Sequence, residues 1–271
     1  MLHSFRYAAP RTRKDLFDLV AEYGIRAKIL AGGTDVLVNI RAGVHKPELV
    51  IDVKKVEGFT GISPSATEGL TFWPGTTINE VLQDARVRKD YPLLAACAHD
   101  LASYQIRNRA TVIGNVVNAS PCSDMAPALL CLGAWAVISS AQGERRVKFQ
   151  DFFTGVKKTI LKPDEILERI EVPAASAGAR GDYKKLKRIQ GHDLGIVGVA
   201  LAVSNDKLSI GVSSAAPTPV LVELNASTRV EDAMEAVAKA TSPISDVRCT
   251  KEYRQFMIGT YVRRLLQEVR A

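Results

Sequence analysis

Long apolar runs, clustered cysteines and glycine-rich nucleotide signatures are all missing from this chain. No stretch approaches eighteen consecutive apolar residues, which argues against a membrane-spanning helix. The four cysteines, Cys97, Cys122, Cys131 and Cys249, include no CxxC pair, and the closest two stand nine positions apart without companion histidines. That spacing argues against a zinc site or an iron–sulfur cluster on this chain. The thiols read instead as small buried hydrophobes in a reducing compartment. His3, His45, His99 and His192 are dispersed and read as structural or solvated. Neither GxGxxG nor GxxxxGK[ST] occurs, so a Rossmann or P-loop nucleotide fold is not supported. The opening Met1-Leu2-His3-Ser4-Phe5-Arg6-Tyr7 lacks the apolar core of a secretory signal, and the expected compartment is the cytoplasm.

What remains is an ordinary globular composition, with 46% hydrophobic and 24% charged residues over 271 positions, enough for two domains or one large one. The net charge of +7 raises the question of nucleic acid, but the basic residues are scattered and no aromatics interleave them. Only Tyr183-Lys184-Lys185-Leu186-Lys187-Arg188 is compact. It fits a strand with alternate residues in solvent, or a patch that attracts an anion or an acidic partner.

Two short stretches carry the information: Ala31-Gly32-Gly33-Thr34-Asp35, and Thr111-Val112-Ile113-Gly114-Asn115-Val116-Val117-Asn118-Ala119-Ser120-Pro121. Each joins an apolar run to small residues, and a turn without Cβ atoms lets successive amides approach an anion. Lys28-Ile29-Leu30 reads as a buried strand, Gly32-Gly33 as its breaker, and Asp35 to Arg41 as a helical turn with Thr34 as N-cap. Taken alone, a Gly-Gly-Thr also fits a ligand-free strand-to-helix turn.

Elsewhere the patterns give a helix over 13–23 capped by Thr12, and a strand over 48–53 that completes a βαβ unit. Further on come a strand at 70–75, a helix from Thr77 through Ala85, and a longer helix over 93–103. Strands at 134–139 and 145–148 form a hairpin around Gln142-Gly143. Small residues at 172–181 mark a boundary. Beyond it lie three strands (182–189, 195–204 and 207–214) and two helices (230–240 and 250–269). The last helix carries Tyr253, Phe256, Met257, Tyr261, Leu265 and Val269 as an expected core stripe.

The two glycine-bearing stretches, about eighty residues apart, resemble the AGG[TH][DS]LL and T-x-GGN-x-x-[NT]-[AG]-SP-x-[AS]-D segments of one family. These mark the FAD-binding medium subunit of the xanthine dehydrogenase and aerobic carbon monoxide dehydrogenase family of molybdenum hydroxylases. The run from Phe152-Phe153-Thr154-Gly155 through Thr159, Leu161, Asp164, Glu165, Ile166 and Leu167 also resembles that family. So do Tyr183 through Gln190-Gly191-His192-Asp193 to Val197, and Ala215-Ala216-Pro217-Thr218-Pro219. One departure is Ile113, where the family has the first of two glycines. The bend keeps its geometry there only with φ below zero, since a β-branched residue tolerates positive φ poorly.

The resemblance implies an α+β protein: a two-subdomain, PCMH-type FAD-binding domain over 1–173 (subdomains about 1–56 and 57–173), then a smaller α+β domain over 179–271 with a three-stranded antiparallel sheet and helices. It implies that Lys28, Ile29, Leu30, Ala31, Gly32, Gly33, Thr34, Asp35 and Val36 wrap the cofactor's diphosphate and ribityl chain. Leu101 and Leu167 would line it, Thr111, Gly114, Asn115, Asn118 and Ser123 would contact it, and Asp124 would bond a cofactor hydroxyl. Lys184 would stand near the isoalloxazine carbonyl. The implied role is flavoprotein electron transfer, with no catalytic triad, acid/base pair or metal on this chain. Molybdopterin would sit on a large partner and [2Fe-2S] clusters on a small one, in an assembly such as a dimer of heterotrimers, with NAD or another carrier as acceptor. A stand-alone flavin oxidoreductase and an assembly scaffold stay open as alternatives.

Overall fold

The computed structural model describes residues 3–64, 69–189, 191 and 193–270. Gln190 and His192 of the 190–193 run lie outside them.

The chain opens with a strand at Arg6–Ala8 (β1) and a helix at Arg13–Tyr23 (α1). The Thr12 hydroxyl accepts the Asp15 amide, and Leu16, Phe17 and Val20 are buried. Ala27–Leu30 (β2), Val36–Arg41 (α2) and Leu49–Asp52 (β3) form the βαβ unit, with β2 and β3 parallel and Leu30 opposite Asp52. β1 joins the far side of β3; its three residues are too few to show a strand period. Thr34 does not cap α2. The backbone is already helical at Asp35, which takes the N-cap position with no side-chain bond to an amide.

Ile62–Pro64 (β4) and Leu70–Phe72 (β5) pair antiparallel. Thr77 and Glu80 form a capping box on Ile78–Gln83 (α3). The expected continuation through Ala85 breaks because the Asp84 carboxylate accepts the Arg86 and Val87 amides and starts a new helix, Ala85–Asp90 (α4). Pro92–Asp100 (α5) stops short of Ser103, which instead caps Tyr104–Arg107 (α6). Val112–Val117 (α7) and Ala126–Cys131 (α8) follow, so the second glycine-bearing stretch is a short helix rather than an open turn. Ile113 is buried inside α7 and is not a positive-φ residue, so it keeps the backbone and packs into the core.

Trp135–Ser140 (β6) and Gly143–Lys148 (β7) form the hairpin, Phe153–Gly155 (β8) and Lys158–Thr159 (β9) a small ribbon, and Ile166–Val172 (β10) the central strand. The antiparallel sheet runs β4-β5-β10-β6-β7. The small-residue segment after β10 is fastened down: the Gly178 amide donates to the Asp90 carbonyl and Ala179 is buried.

Arg180–Leu186 (β11), Val197–Ser204 (β12), Lys207–Ser213 (β13) and Val220–Asn225 (β14) make a meander of four strands, not three. β14 is a half-buried edge strand directly after Pro217-Thr218-Pro219, so turn residues and partial burial mask its period. One face of the sheet (Val197, Val199, Leu201, Ile210, Val212) packs under Val230–Ala240 (α9) and Lys251–Arg270 (α10). The other face adds Tyr183, Ala200 and Ala202 to the largest core, with Leu94, Cys97 and Leu129 of α5 and α8. The sheet is therefore a shared wall between two cores, which is why β12 is apolar and buried from Val197 to Ala202.

The stripe expected on α10 is partly wrong. Tyr261 and Leu265 are buried, but Tyr253 and Phe256 are exposed, and the buried face runs through Arg254, Ile258 and Val262. Phe256 stands two residues from both Arg254 and Ile258, on the opposite side of the helix.

Arg254 is 2% exposed; its guanidinium donates to the Ser214 carbonyl at 2.8 Å and to Asp246 Oδ2 at 3.0 Å. The same carboxylate takes Arg248 at 2.6 Å, and Arg248 reaches the Gly195 carbonyl and Cys122 Sγ. The Arg248 hydrogen bond, helped by Arg254 and opposed by burial, holds the Asp246 carboxyl well below its usual range. Asp246→Asn is expected to lower stability by about 2–3 kcal/mol at pH 7, because it leaves buried guanidinium charge unpaired. A lowered carboxyl pKa stabilises above the unfolded value. In urea melts, wild type and variant should therefore converge as pH falls below about 4.

Candidate functional site

β2 delivers Lys28, Ile29 and Leu30 to the bend Ala31 to Asp35, and Val36 opens α2. Gly33 adopts φ +80°, which favours glycine. At Gly32 the demand is steric: a Cβ would stand 2.0 Å from the Arg109 carbonyl oxygen and 3.0 Å from Ala110 Cα. The first bend is thus pressed against the residues that lead into Thr111. From there the Val112 amide donates to the Thr76 carbonyl, Thr77 bridges Thr111, and the Thr111 hydroxyl accepts the Gly114 amide at 3.0 Å. Two segments far apart in sequence form one surface.

The first bend is also braced from behind. Lys54 Nζ donates to the Ala31 carbonyl at 2.9 Å and to Asp52 Oδ1 at 2.6 Å, and the Tyr7 hydroxyl donates to Asp52 Oδ2 at 2.8 Å. Among the described residues no acceptor takes the amides of Gly32, Gly33, Thr34 or Asp35. Consecutive unpartnered amides on a bend opened by two glycines are a cradle for a phosphate-bearing group.

Asn115 is turned inward, its Oδ1 accepting the Ser123 hydroxyl at 2.6 Å and the Met125 amide at 3.2 Å. It fixes the loop that carries Ser123 and Asp124. Asn118 accepts from Lys157 Nζ at 2.9 Å. Leu101 and Leu167 are both buried in the largest core with Ala110 and Val112, which places them behind this surface. The Leu101–Ala102 turn is held by Arg107, whose guanidinium donates to the carbonyls of His99, Leu101 and Ala102.

Asp124 is buried, and Lys185 Nζ lies 2.8 Å from its Oδ1 with the Tyr183 hydroxyl at 3.3 Å. Burial pushes the Asp124 carboxyl up, and Lys185 partly offsets the rise. Burial, then the Asp124 charge, pushes the Tyr183 phenol well up. Lys185 is itself only 2% exposed in its side chain and also donates to the Asp100 carbonyl. Lys184 is not part of this group. Its ammonium pairs with Glu268 on α10, since successive residues of a strand face opposite ways. The lysine on the Asp124 side is Lys185, together with Tyr183.

The glycine bends, Asn115, Ser123, Asp124, Leu101 and Leu167 are thus tied together by bonds and packing, while Lys184 faces the terminal helices. Lys54, Arg107, Lys157 and Lys185 were missed as organisers. Only Lys185 had a usable signal, its i+2 spacing from Tyr183 on a strand.

Among the described residues, four of the five non-glycine residues with positive φ adjoin these loops. Ala102 follows Leu101, Ala119 follows Asn118, Lys157 bonds Ala119, and the Ser214 amide donates to the Pro121 carbonyl. Such backbone is held only where the surroundings over-determine it, and it concentrates at ligand clamps.

Residues 3–175 match the family described as the FAD binding domain in molybdopterin dehydrogenase, and residues 182–269 match the CO dehydrogenase flavoprotein C-terminal domain. The chain belongs to this family of flavoprotein subunits. The carbon monoxide dehydrogenase medium chain of Afipia carboxidovorans is 30% identical, over 99% of this chain and 97% of the relative. The nicotine 6-hydroxylase medium subunit of Paenarthrobacter nicotinovorans is also 30% identical, over 100% and 99%. So is the xanthine dehydrogenase FAD-binding subunit of Escherichia coli O157:H7, over 97% and 94%. Among solved structures, a chain of the cyanide-inactivated Cu,Mo-CO dehydrogenase superposes with a TM-score of 0.91 at 27% identity, over 99% of each chain. The α+β architecture and the FAD-binding, oxidoreductase character of the family member follow. Among the described residues no helix is long and apolar enough to cross a membrane.

Proposed function

We propose that this chain is the electron-transfer subunit of a multi-subunit molybdenum hydroxylase, passing electrons from [2Fe-2S] clusters on a small partner chain through FAD to an external acceptor such as NAD. A large partner holding molybdopterin carries out substrate oxidation, and the assembly is a higher heteromer in the cytoplasm. Residues 1–173 form the FAD-binding unit and 179–271 the second unit.

One observation carries the reading: the unsatisfied amides of Gly32 to Asp35 abut the segment leading into Thr111, where a Cβ on Gly32 has no room. In this reading the amides of the first bend bind the diphosphate, and Thr111, Gly114, Asn115, Asn118 and Ser123 form the facing wall. Leu101 and Leu167 supply apolar backing. Asp124 accepts a cofactor hydroxyl, and Lys185 pairs with it and partly offsets the rise that burial causes. Lys54 and Arg107 fix the carbonyls on either side, so the loops need little reorganisation on binding. FAD supplies the one- and two-electron chemistry that no side chain here offers.

Affinity purification of the tagged chain from its native cell is expected to bring down one chain with molybdopterin and one with [2Fe-2S] clusters, and the flavin in that complex should bleach when substrate is added. Flavin turnover by the isolated chain with its own organic substrate would instead support a stand-alone oxidoreductase, and a chain that takes up no flavin a scaffold.

A further inference from the structure

Between them α9 and α10 enclose an open groove of about 710 Å³ that the flavin reading leaves unused. Met234 and Ala238 of α9, Pro243 of the connecting loop, and Phe256 and Gly259 of α10 give it an apolar lining. A Cβ on Gly259 would stand 3.1 Å from Met234 Cε, so the missing side chain lets α9 close in and leaves a dip in the surface of α10. One turn away Phe256 stands out as a knob, 65% exposed. An aromatic ring held in water beside an apolar dip marks a contact surface.

The groove side of α10 has the pattern of a helix that packs on another helix. Glu252, Phe256, Gly259 and Arg263 follow one another at spacings of four, three and four, the a/d spacing of a coiled-coil seam, and all four line the groove. This stripe points away from the buried face through Arg254, Ile258 and Val262. Its two charges are poorly satisfied. Glu252 has only a loose pair with its neighbour Lys251 at 3.7 Å, the other ion pairs of α10 use Arg254 and Glu268, and among the described residues Arg263 has none. A loosely held carboxylate thus begins the stripe and an unpaired guanidinium ends it, about 16 Å apart along the helix.

We propose that this stripe is a homodimer interface, in which two copies of the chain pack their α10 helices antiparallel about a two-fold axis between Phe256 and Gly259. The stripe is its own complement in that orientation alone. Each Phe256 enters the groove over the partner's Gly259, and each Glu252 faces the partner's Arg263, giving two ion pairs and two knobs in holes. A parallel pairing would set Phe256 on Phe256 and Arg263 on Arg263. The interface shares no residue with the flavin site, so it stands or falls independently of the cofactor reading.

The test is sedimentation velocity of the full chain as a function of concentration. Wild type should show a monomer–dimer equilibrium with a dissociation constant on the order of 10 μM, the weak affinity suited to a contact only three turns long. Phe256→Ala and Arg263→Glu, both at exposed positions, should each raise that constant about tenfold or more and leave the thermal midpoint of the monomer in place. The double variant Glu252→Arg/Arg263→Glu exchanges the two charges, so opposite signs face each other again and the constant should return to within about threefold of wild type. A wild type that stays monomeric up to about 200 μM, well above that constant, overturns the inference, as does a dimer that none of the variants weakens. If wild type is monomeric and Phe256→Ala instead strips a different chain from the complex purified from the native cell, the groove belongs to that chain and the inference is likewise overturned.

Discussion

Gly32→Ala is expected to yield a chain that purifies nearly colourless and binds added FAD at least a hundredfold more weakly than wild type. A methyl group at that position would lie 2.0 Å from the Arg109 oxygen and 2.7 Å from its carbonyl carbon, both backbone atoms that cannot swing aside. The only relief is to part the first bend from the residues leading into Thr111, which moves one wall of the site away from the other. A hundredfold loss corresponds to about 2.8 kcal/mol of binding free energy. Gly43→Ala is the control. Gly43 has φ +74° but nothing within 4 Å of the added carbon, so it costs about 1 kcal/mol of stability and leaves the flavin-to-protein absorbance ratio unchanged.

Lys185→Met is expected to lower stability by about 3–5 kcal/mol at neutral pH, whereas Lys184→Met should change it by no more than about 1 kcal/mol. The two lysines are adjacent in sequence, but Lys185 is the buried counter-charge of Asp124, and Lys184 shares a half-exposed pair with Glu268. The pH dependence separates charge from packing. The Asp124 carboxyl is already raised by burial, so the folded state holds its proton more tightly than the unfolded one, and its contribution to stability falls as pH rises through the folded value. Removing Lys185 moves that window upward. Thermal melts of Lys185→Met should therefore worsen from pH 5 to pH 8 more steeply than those of wild type. The double variant Lys185→Met/Asp124→Asn should lose the added slope, because an uncharged amide has no proton to hold.

Much of this was legible in the sequence because the signals are local. Thr12 and Thr77 cap the helices their positions announce, the Gly32-Gly33 breaker sits between a strand and a helix, and Asn205 turns the hairpin between β12 and β13 at φ +52°. The failures share a different cause. Asp84 splits a helix through a side-chain bond, and Arg107 ends α5 by gathering three carbonyls, neither of which alters hydrophobic periodicity. Thr34 looked like an N-cap because the composition fits, yet the N-cap position falls on the following residue, Asp35, and the helix begins at Val36.

Lys184, the lysine the motif singles out, pairs with Glu268, while its neighbour Lys185 reaches Asp124, because one residue on a strand reverses the face. Motif matching gives an approximate position, whereas parity with Tyr183 decides which side chain reaches Asp124. Lys54 and Lys157 were beyond reach for another reason: each acts on a segment at least twenty residues away, through the carbonyl of Ala31 and the side chain of Asn118. Such pairings exist only once the fold has brought the loops together.

The central claim is that the bend at Gly32 and the segment at Thr111 hold a single flavin dinucleotide between them. A crystal structure of the FAD-loaded chain tests it most directly. The account predicts the diphosphate within hydrogen-bond distance of the Gly32 to Asp35 amides, with Asp124 on a cofactor hydroxyl. A diphosphate bound away from those amides, with Gly32 still packed on Arg109, would contradict it.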